Sequence, residues 1–546
     1  MTSLTTYWHT LRHLKPAQFM YRLRYRLGRP AVSRAGPPAL RPHAADWVES
    51  VRRPCAMLAA DRFRFLNQVE RLAPGEWDSP RWAKLWRYNL HYFDDLNAVD
   101  AAARREWHRG LIEQWVEENP MPTGSGWEPY PVSLRIVNWI RWALSGNALS
   151  DAAMHSLCLQ ARWLERRLEY HILANHLFAN AKALVFAGLF FCGEEAERWL
   201  RRGLAILGRE VPEQVLADGG HFEHSPMYHA LVLEDMLDML NLGLVYSGAA
   251  GSAVLPDAQW RQVASRMLGW HRRMTHPDGE IAFFNDAACA IAPTHEQLAA
   301  YAGRLDIALP PEAHGALTRL EQSGYIRAEA GPAVLIVNIA EIGPDYQPGH
   351  AHADTLSFEC SLHGRRLLVN SGIDRYGADA ERLRQRGTLA HNTVTVNGTD
   401  SSEVWDGFRV ARRARPRLEA LRREEDVIEI SASHDGYRRL GGNIVHWRNW
   451  SLHPGGLRIE DQVKGDFDTA EARFYLHPDV TVEAGPKRQG GFRLRMAGGE
   501  EAVVEIEGGN AACMASTWHP EFGLAVPNRC IAVAFTASRV TLSMTW

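Results

Sequence analysis

Apolar residues change their spacing near residue 320, and this change leaves the chain few architectures. Between about residues 80 and 310 they recur every three or four positions, the spacing of one face of an α-helix. After about residue 320 the chain breaks into short β-type segments separated by glycine. Helices first and strands second predict an α+β multidomain chain with segregated layers rather than an alternating α/β fold.

The predicted strands include residues 333–337, 355–362, 366–369, 392–396 and 427–430. His363 and Gly364 fit a two-residue hairpin turn between two of them. We therefore predict three parts: a helical N-terminal extension over residues 1–80, a helical domain over 81–320 and a strand-rich domain over 321–546. A length of 546 residues agrees with several domains, because it exceeds the usual size of one core.

Composition excludes some classes of protein. The net charge of -3 gives no general attraction to nucleic acid, and seven scattered cysteines without a CxxC pair argue against a disulfide scaffold or thiolate zinc site. We find no transmembrane segment, since no stretch reaches the roughly 20 apolar residues of a membrane span. The first residues lack the pattern of a secretory signal, so a cytoplasmic location is expected.

Residues 19–27 form an unusual basic segment near the N-terminus. Arg22, Arg24 and Arg26 alternate there with aromatic and aliphatic residues. The pattern is typical of a packed helix whose arginine side chains reach water along their stems. It also leaves open a contact with a membrane surface or a partner.

Polar side chains interrupt an apolar helical run that begins near residue 174. Asn175 and Lys182 are seven residues apart and His176 and Asn180 are four apart, so two adjacent stripes of one helix face one neighbourhood. These groups form either a site wall or hydrogen bonds between packed helices.

A second motif follows a glycine turn at Gly219 and Gly220. Ser225 and Pro226 fit an N-cap followed by proline at the first helical position, which places Tyr228 in the first turn. There the helix dipole favours a phenolate, so we expect a more acidic phenol than that of free tyrosine, whose pKa is about 10. The alternative is that Tyr228 only packs.

A third motif places His350, His352 and Asp354 at alternate positions. In a strand they would share one face, which suits a metal site or a proton-transfer group with an orienting partner. His391, just before another β-type run, offers a further imidazole. An HxHxD pattern alone is weakly specific.

Together these motifs resemble the heparinase II/III-like family of uronate-polysaccharide lyases. The Asn175-His176 pair, the segment from Ser225 to Tyr228, the HxHxD motif and His391-Asn392 occur in the order of that family. The resemblance implies an N-terminal incomplete (α/α) toroid followed by a C-terminal antiparallel β-sandwich. It also implies β-elimination, in which the C5 proton of a uronic acid is removed and the oxygen at C4 departs.

The resemblance carries roles for four residues. Asn175, with His350, would neutralise the uronate carboxylate and so stabilise an enolate-like intermediate. Tyr228 would donate a proton to the departing oxygen and, when acid and base act on one sugar face, would also be the base. His176 is the base when the C5 proton lies on the other face.

Some relatives carry a structural metal, although the chemistry itself requires no cofactor. The matching ligand positions here are His352, His391 and Asn370, and an amide is a poorer zinc ligand than the carboxylate usual at the third position. Asp374 is an alternative third ligand. A structural zinc ion is therefore an open expectation.

Substrate contacts are expected from Trp127, Tyr130 and Arg135, which offer aromatic surfaces for sugar rings and a guanidinium for carboxylate or sulfate. The alternative is that the tryptophan lies in the core and the arginine pairs internally. The expected partner is an acidic polysaccharide or oligosaccharide, and homo-oligomerisation is left open.

Three rival functions remain at this stage. A uronyl C5-epimerase would use the same stabilised intermediate without breaking the chain. A glycoside hydrolase would need paired carboxylates, for which Glu128, Glu223 and Asp286 are candidates. A non-catalytic glycan-binding or assembly protein would keep the fold without turnover.

Overall fold

A computed structural model describes residues 4–28, 30–248, 255–311, 315–485 and 491–546. The helices in these ranges are α1 (Leu4–Leu11), α2 (Pro16–Leu27), α3 (Lys84–Tyr92), α4 (Arg105–Glu118), α5 (Pro129–Leu144), α6 (Asp151–Arg166), α7 (Ala174–Phe190), α8 (Glu194–Gln214), α9 (Pro226–Val245), α10 (Asp257–Arg273), α11 (His295–Arg304) and α12 (Ala380–Arg386).

The strands of the first 400 residues are β1 (Met57–Ala59), β2 (Arg62–Phe65), β3 (Gln68–Arg71), β4 (Leu317–Leu320), β5 (Tyr325–Ala330), β6 (Ala333–Asn338), β7 (Phe358–Leu362), β8 (Arg365–Leu368) and β9 (Val394–Val396). Those that follow are β10 (Val404–Trp405), β11 (Arg409–Val410), β12 (Pro416–Glu424), β13 (Val427–His434), β14 (Val445–His453), β15 (Gly456–Lys464), β16 (Ala470–Tyr475), β17 (Thr481–Ala484), β18 (Phe492–Arg495), β19 (Glu501–Glu507), β20 (Asn510–Trp518), β21 (Val526–Phe535) and β22 (Arg539–Thr545).

Helix α7 is the centre of the helical part. Every residue of α7 except His176 is buried, because α8 packs along it and α5, α6 and α9 also contact it. A helix that is apolar on nearly all sides is stable only in such an interior. The single opening in this packing lies at His176, in the first turn of the helix.

The described strand-rich part consists of three larger antiparallel sheets and a two-stranded sheet of β10 and β11. Eight strands form one sheet in the order β12-β13-β14-β15-β22-β19-β18-β17, four form a second in the order β20-β21-β16-β9, and β4 to β8 form a third. Their inward-facing side chains share one apolar core. The predicted hairpin turn is confirmed, since His363 and Gly364 both have positive φ angles between β7 and β8.

Two local predictions were wrong. Residues 57–71 of the predicted helical extension form a three-stranded sheet, and the alternation of Arg62-Phe63-Arg64-Phe65 is the strand signal that explains it. Residues 350–354 form a loop between β6 and β7 rather than a strand. The His350 carbonyl accepts from the Asp286 amide, and the Ala353 amide donates to the Arg386 carbonyl, so these groups are unavailable to a strand ladder.

The change from helix to strand lies between α11, which ends at Arg304, and β4, which begins at Leu317. In the described residues, no helix combines the length and apolar character needed to cross a membrane.

Substitution of Gly219 tests how closely the turn before the second motif packs against its neighbours. Its φ of +92° is left-handed, and a Cβ there would lie 2.3 Å from the carbonyl oxygen of Arg266. Gly75 also has a positive φ, of +76°, but open space around it. We expect Gly75→Ala to cost about 1 kcal/mol of stability from φ strain alone, and Gly219→Ala to cost about 2 kcal/mol more from the clash. Calorimetric unfolding of both variants measures this difference, and equal losses would contradict it.

Candidate active site

The first turn of α9 contacts the loop between β6 and β7, and the first turn of α7 lies within electrostatic range of this junction, so the four predicted catalytic residues Asn175, His176, Tyr228 and His350 belong to one region. Tyr228, on α9, stacks on His350 of the loop with ring centroids 3.8 Å apart. Tyr130, at the start of α5, lies 4.5 Å from the His176 ring. The helical part and the strand-rich part therefore both contribute side chains to this candidate site, which we call the cleft.

The backbone leading into α7 is strained. Leu173 and Ala174 have φ angles of 70° and 50°, in a region that residues with a Cβ rarely adopt. Asn175 follows immediately and is buried, and its Oδ1 has no hydrogen-bond partner among the described residues. A buried amide without a partner is costly unless a ligand completes it. Asn175 is thus placed to hydrogen-bond a bound group.

His176 and Glu169 form a carboxylate–imidazole pair. His176 Nδ1 lies 3.1 Å from Glu169 Oε1, and Glu169 Oε2 accepts from the Asn180 side chain at 3.0 Å. Burial opposes protonation of His176, but the Glu169 carboxylate outweighs it, so the pKa of His176 is raised. Because Nδ1 is engaged, Nε2 is the nitrogen left for a substrate.

The other members of this helical motif are structural. Asn180 also accepts the Glu169 backbone N–H at 2.8 Å and so fixes the loop before α7. Lys182 is buried and binds Asp235 and Asp238 at 2.6 and 2.7 Å. Helix-to-helix hydrogen bonding, one of the two interpretations of the motif, therefore describes these two residues.

Tyr228 begins α9 as the sequence predicts. Ser225 Oγ accepts the Tyr228 backbone N–H at 3.2 Å, and the Ser225 hydroxyl donates to the carbonyl of Asp286. The phenol oxygen lies 2.7 Å from that of Tyr376. The expectation of a more acidic phenol was wrong: burial, with Tyr376 and Asp286 nearby, raises the pKa of Tyr228 well above 10. Tyr228 consequently holds its proton at neutral pH.

A second carboxylate–imidazole pair faces the same cleft. His350 Nδ1 hydrogen-bonds Glu223 Oε2, and the Glu223 side chain is buried. Burial alone would raise the pKa of Glu223, but His350 holds it below its usual value. The Glu223 carboxylate also contributes to the raised pKa of His176, so the two pairs share one electrostatic environment.

The expected metal ligands do not fit a zinc site. His352 Nδ1 lies 3.2 Å from His391 Nε2, and Asn370 accepts the Asn392 backbone N–H. Two imidazoles and one amide fall short of the three or four imidazole, thiolate or carboxylate ligands that zinc takes. No group of three His, Cys, Asp or Glu in the described part of the chain could hold a metal ion. Asp374 does not complete the set, because it bonds Arg375 and Gln385.

A buried ion pair lies behind the histidines instead. Asp286 Oδ2 accepts from Arg382 at 2.7 Å, and Asp286 Oδ1 lies 2.8 Å from His352 Nε2. Burial would raise the pKa of Asp286, but Arg382 and His352 hold it well below its usual value. Burial lowers the pKa of His352 to about 4, so this imidazole is neutral at physiological pH.

Two of the expected substrate contacts were wrong. Trp127 is buried and donates to the Asn119 carbonyl at 3.0 Å. Arg135 is fully buried, where it donates to Gln160 and to two backbone carbonyls and stacks on a tryptophan. Both belong to the core, and of the three expected contacts only Tyr130, half-buried beside His176, lines the cleft.

Asp354, the last residue of the third motif, is also buried, and burial raises its pKa to about 7.

Sequence reasoning missed Glu169 and Tyr376 and considered Glu223 only as a hydrolase acid. Glu169 lies in the loop before α7 rather than on the helix that carries His176, and Tyr376 lies in a loop with no motif around it. The carboxylates proposed for a hydrolase are all engaged. Glu223 holds His350, Asp286 holds Arg382, and Glu128 accepts from Lys84 and Tyr88.

Comparison with known proteins finds relatives for both parts of the chain. Sequence models of two domains, "Heparinase II/III N-terminus" and "Heparinase II/III-like, C-terminal", match residues 83–303 and 313–546. A heparin-sulfate lyase of Pedobacter heparinus is 23% identical over 404 residues, which cover 64% of this chain and 59% of that protein. One of Bacteroides stercoris is 26% identical over 255 residues, or 43% of this chain and 37% of that protein. The matches thus span about two fifths to three fifths of these relatives.

Solved structures support the predicted architecture. The crystal structure of a heparinase III covers 88% of this chain and 80% of its own, with a TM-score of 0.69 at 18% identity. A heparan sulfate lyase from Pedobacter heparinus covers 97% of this chain and 87% of its own, with a TM-score of 0.62 at 17% identity. These likenesses confirm the predicted toroid-and-sandwich fold. With both domain models matched, the chain belongs to the heparinase II/III-like family.

Proposed function

We propose that the protein is a polysaccharide lyase that cleaves a uronic-acid-containing polysaccharide or oligosaccharide by β-elimination. The observation that carries this proposal is the placement of a protonated phenol, Tyr228, against His350, in a cleft that also holds a carboxylate-bound imidazole, His176. The similarity to heparin-sulfate lyases supports the same class of substrate.

The first requirement of this chemistry is neutralisation of the uronate carboxylate. A C5 proton beside an ionised carboxylate is barely acidic, because its removal adds a second negative charge to the same group. The Asn175 side-chain N–H group and the His350 imidazole would donate hydrogen bonds to the carboxylate, and Asn175 Oδ1, which has no partner among the described residues, would accept one from a sugar hydroxyl. Preorganised donors of this kind stabilise the charge that develops in the transition state. Glu223 orients His350 for this role.

His176 would remove the C5 proton through Nε2, because Nδ1 is bound to Glu169. Tyr228 would protonate the oxygen that leaves C4, since its raised pKa keeps the proton on the phenol until the bond breaks. Tyr376, whose hydroxyl lies 2.7 Å from that of Tyr228, would stabilise the resulting phenolate. The products are one chain end with a C4–C5 double bond and one intact end. No water and no cofactor is consumed.

Replacement of Tyr228 tests the acid. We expect Tyr228→Phe to lower kcat by roughly 10²- to 10⁴-fold, because general acid catalysis contributes about that much, while substrate binding persists. The measurement is the ultraviolet absorbance of the unsaturated uronate, with a panel of acidic polysaccharides as substrates. Tyr246→Phe, which alters a buried tyrosine elsewhere in the helical part, is the matched control. Equal activity of the two variants would exclude Tyr228 as the acid.

Replacement of Glu169 tests the base. The neutral imidazole is the basic form, so activity rises with pH through the pKa of His176, which Glu169 raises. Glu169→Gln removes that charge, and we expect the acidic limb of the kcat/KM profile to shift to lower pH. The profile is measured with the absorbance assay. If the limb stays where it is while the rate changes, His176 is not the base and Tyr228 serves both roles.

A further inference from the structure

The two N-terminal helices carry apolar residues on the side that faces away from the protein. On α1 the exposed apolar side chains fall at positions 4, 7, 8 and 11, and on α2 at 19, 20, 23 and 27. Both sets fit one helical face. Eight of the eighteen large apolar side chains that are exposed in the described residues thus lie within the first 27 positions. We call this set the N-terminal surface: Leu4, Tyr7, Trp8, Leu11, Phe19, Met20, Leu23 and Leu27, of which Tyr7 lies at the edge and also packs on Trp405.

The most deeply buried residues of these helices are polar, which differs from the usual arrangement. The single buried residue of each helix is Thr10 in α1 and Gln18 in α2. Thr10 accepts a hydrogen bond from Trp405 Nε1 at 3.0 Å, and Gln18 donates to the Tyr346 carbonyl at 3.2 Å. A surface helix normally buries its apolar stripe and exposes its polar one. The outward-facing apolar side chains are therefore exposed, although apolar side chains of this size are usually buried.

Specific contacts hold the helices in this orientation. Tyr21 packs on Tyr170, and Tyr25 packs on His171, with ring centroids 4.7 and 4.2 Å apart. Arg167 donates to the Tyr25 carbonyl at 2.8 Å. The apolar face is thus displayed by helices that are fixed on both the helical and the strand-rich parts.

Charge identifies the kind of partner. The first 45 residues contain eight arginines and lysines and no aspartate or glutamate, although the whole chain has a net charge of -3. Arg24 and Arg26 are exposed on α2 beside the apolar stripe. A second copy of the same surface would bring like charges together in a symmetric contact. A polysaccharide would satisfy the charges and stack on Trp8 and Phe19, but it offers little cover for the aliphatic side chains of Leu4, Leu23 and Leu27.

We propose that the N-terminal surface docks the protein onto an anionic lipid membrane. An amphipathic helix with aromatic and aliphatic residues on one face and arginines beside it binds at the interface of a bilayer, where apolar side chains enter the acyl boundary. Anionic headgroups attract the arginines. The membrane is the partner that matches both features of the surface, and the contact lies at the interface without spanning it.

Vesicle sedimentation tests this proposal on the full chain. The probes are vesicles of phosphatidylcholine alone and of phosphatidylcholine mixed with phosphatidylglycerol. One variant carries Trp8→Ser, Phe19→Ser and Leu23→Ser, and a second carries Arg24→Glu and Arg26→Glu. We expect wild type to bind the anionic vesicles, and each variant to bind them at least about tenfold more weakly.

The controls change similar residues elsewhere. Trp107→Ser removes an exposed tryptophan of α4, and Arg422→Glu with Arg423→Glu reverses two exposed arginines of β12; both should bind as wild type does. Lack of binding to anionic vesicles, or equal binding by all variants, would overturn the proposal. Light scattering supplies a further test, since a wild-type dimer that the apolar variant disperses, without vesicle binding, would assign the surface to a second copy. The readout is lipid binding, so its failure is distinct from failure of the proposed lyase activity.

Discussion

The site depends on the buried ion pair between Asp286 and Arg382 and on the other hydrogen bonds that Asp286 makes. Asp286 pairs with Arg382 and bonds His352, while its backbone carbonyl accepts from Ser225, the N-cap of α9, and its backbone N–H donates to His350. One residue thus fixes the helix that carries Tyr228 and the loop that carries His350. Loss of its charge would leave the buried Arg382 guanidinium without its anionic partner, a change that costs about 3–5 kcal/mol in proteins.

The backbone that holds the catalytic groups is strained, and this strain costs free energy of folding. Two consecutive left-handed residues precede Asn175, and His224 and Asn285, beside Ser225 and Asp286, also have positive φ. Such strain persists only where the surrounding packing over-determines it, and it is common at functional sites. The buried helices α7 and α9 supply that packing. The polar groups of the cleft between the helical part and the strand-rich part are therefore fixed before a substrate arrives. Electrostatic catalysis requires such preorganised groups.

The sequence was sufficient to predict the order of helices and strands, because periodicity reports burial directly. It also placed Tyr228 in the first turn of a helix, since Ser225 and Pro226 are local signals. It failed for Trp127 and Arg135, whose residue types suit a sugar-binding groove and a core equally well. It failed for the acidity of Tyr228, because burial outweighs the helix dipole and depends on distant residues such as Tyr376. Residues that only the fold brings together, such as Glu169 and His176, leave no local sequence pattern from which their pairing could be predicted.

The central claim is that the protein cleaves its substrate by β-elimination. The most direct test is to run the reaction in water labelled with heavy oxygen and to measure the masses of the products. The purified protein would be incubated in that solvent with defined acidic oligosaccharides, and the fragments analysed by mass spectrometry. The account predicts cleaved chains in which one fragment has the mass of an unsaturated uronate and neither fragment carries solvent oxygen. Fragments that contain heavy oxygen would identify hydrolysis and contradict the account. Intact chains that exchange their C5 hydrogen with deuterated solvent would contradict it in favour of epimerisation.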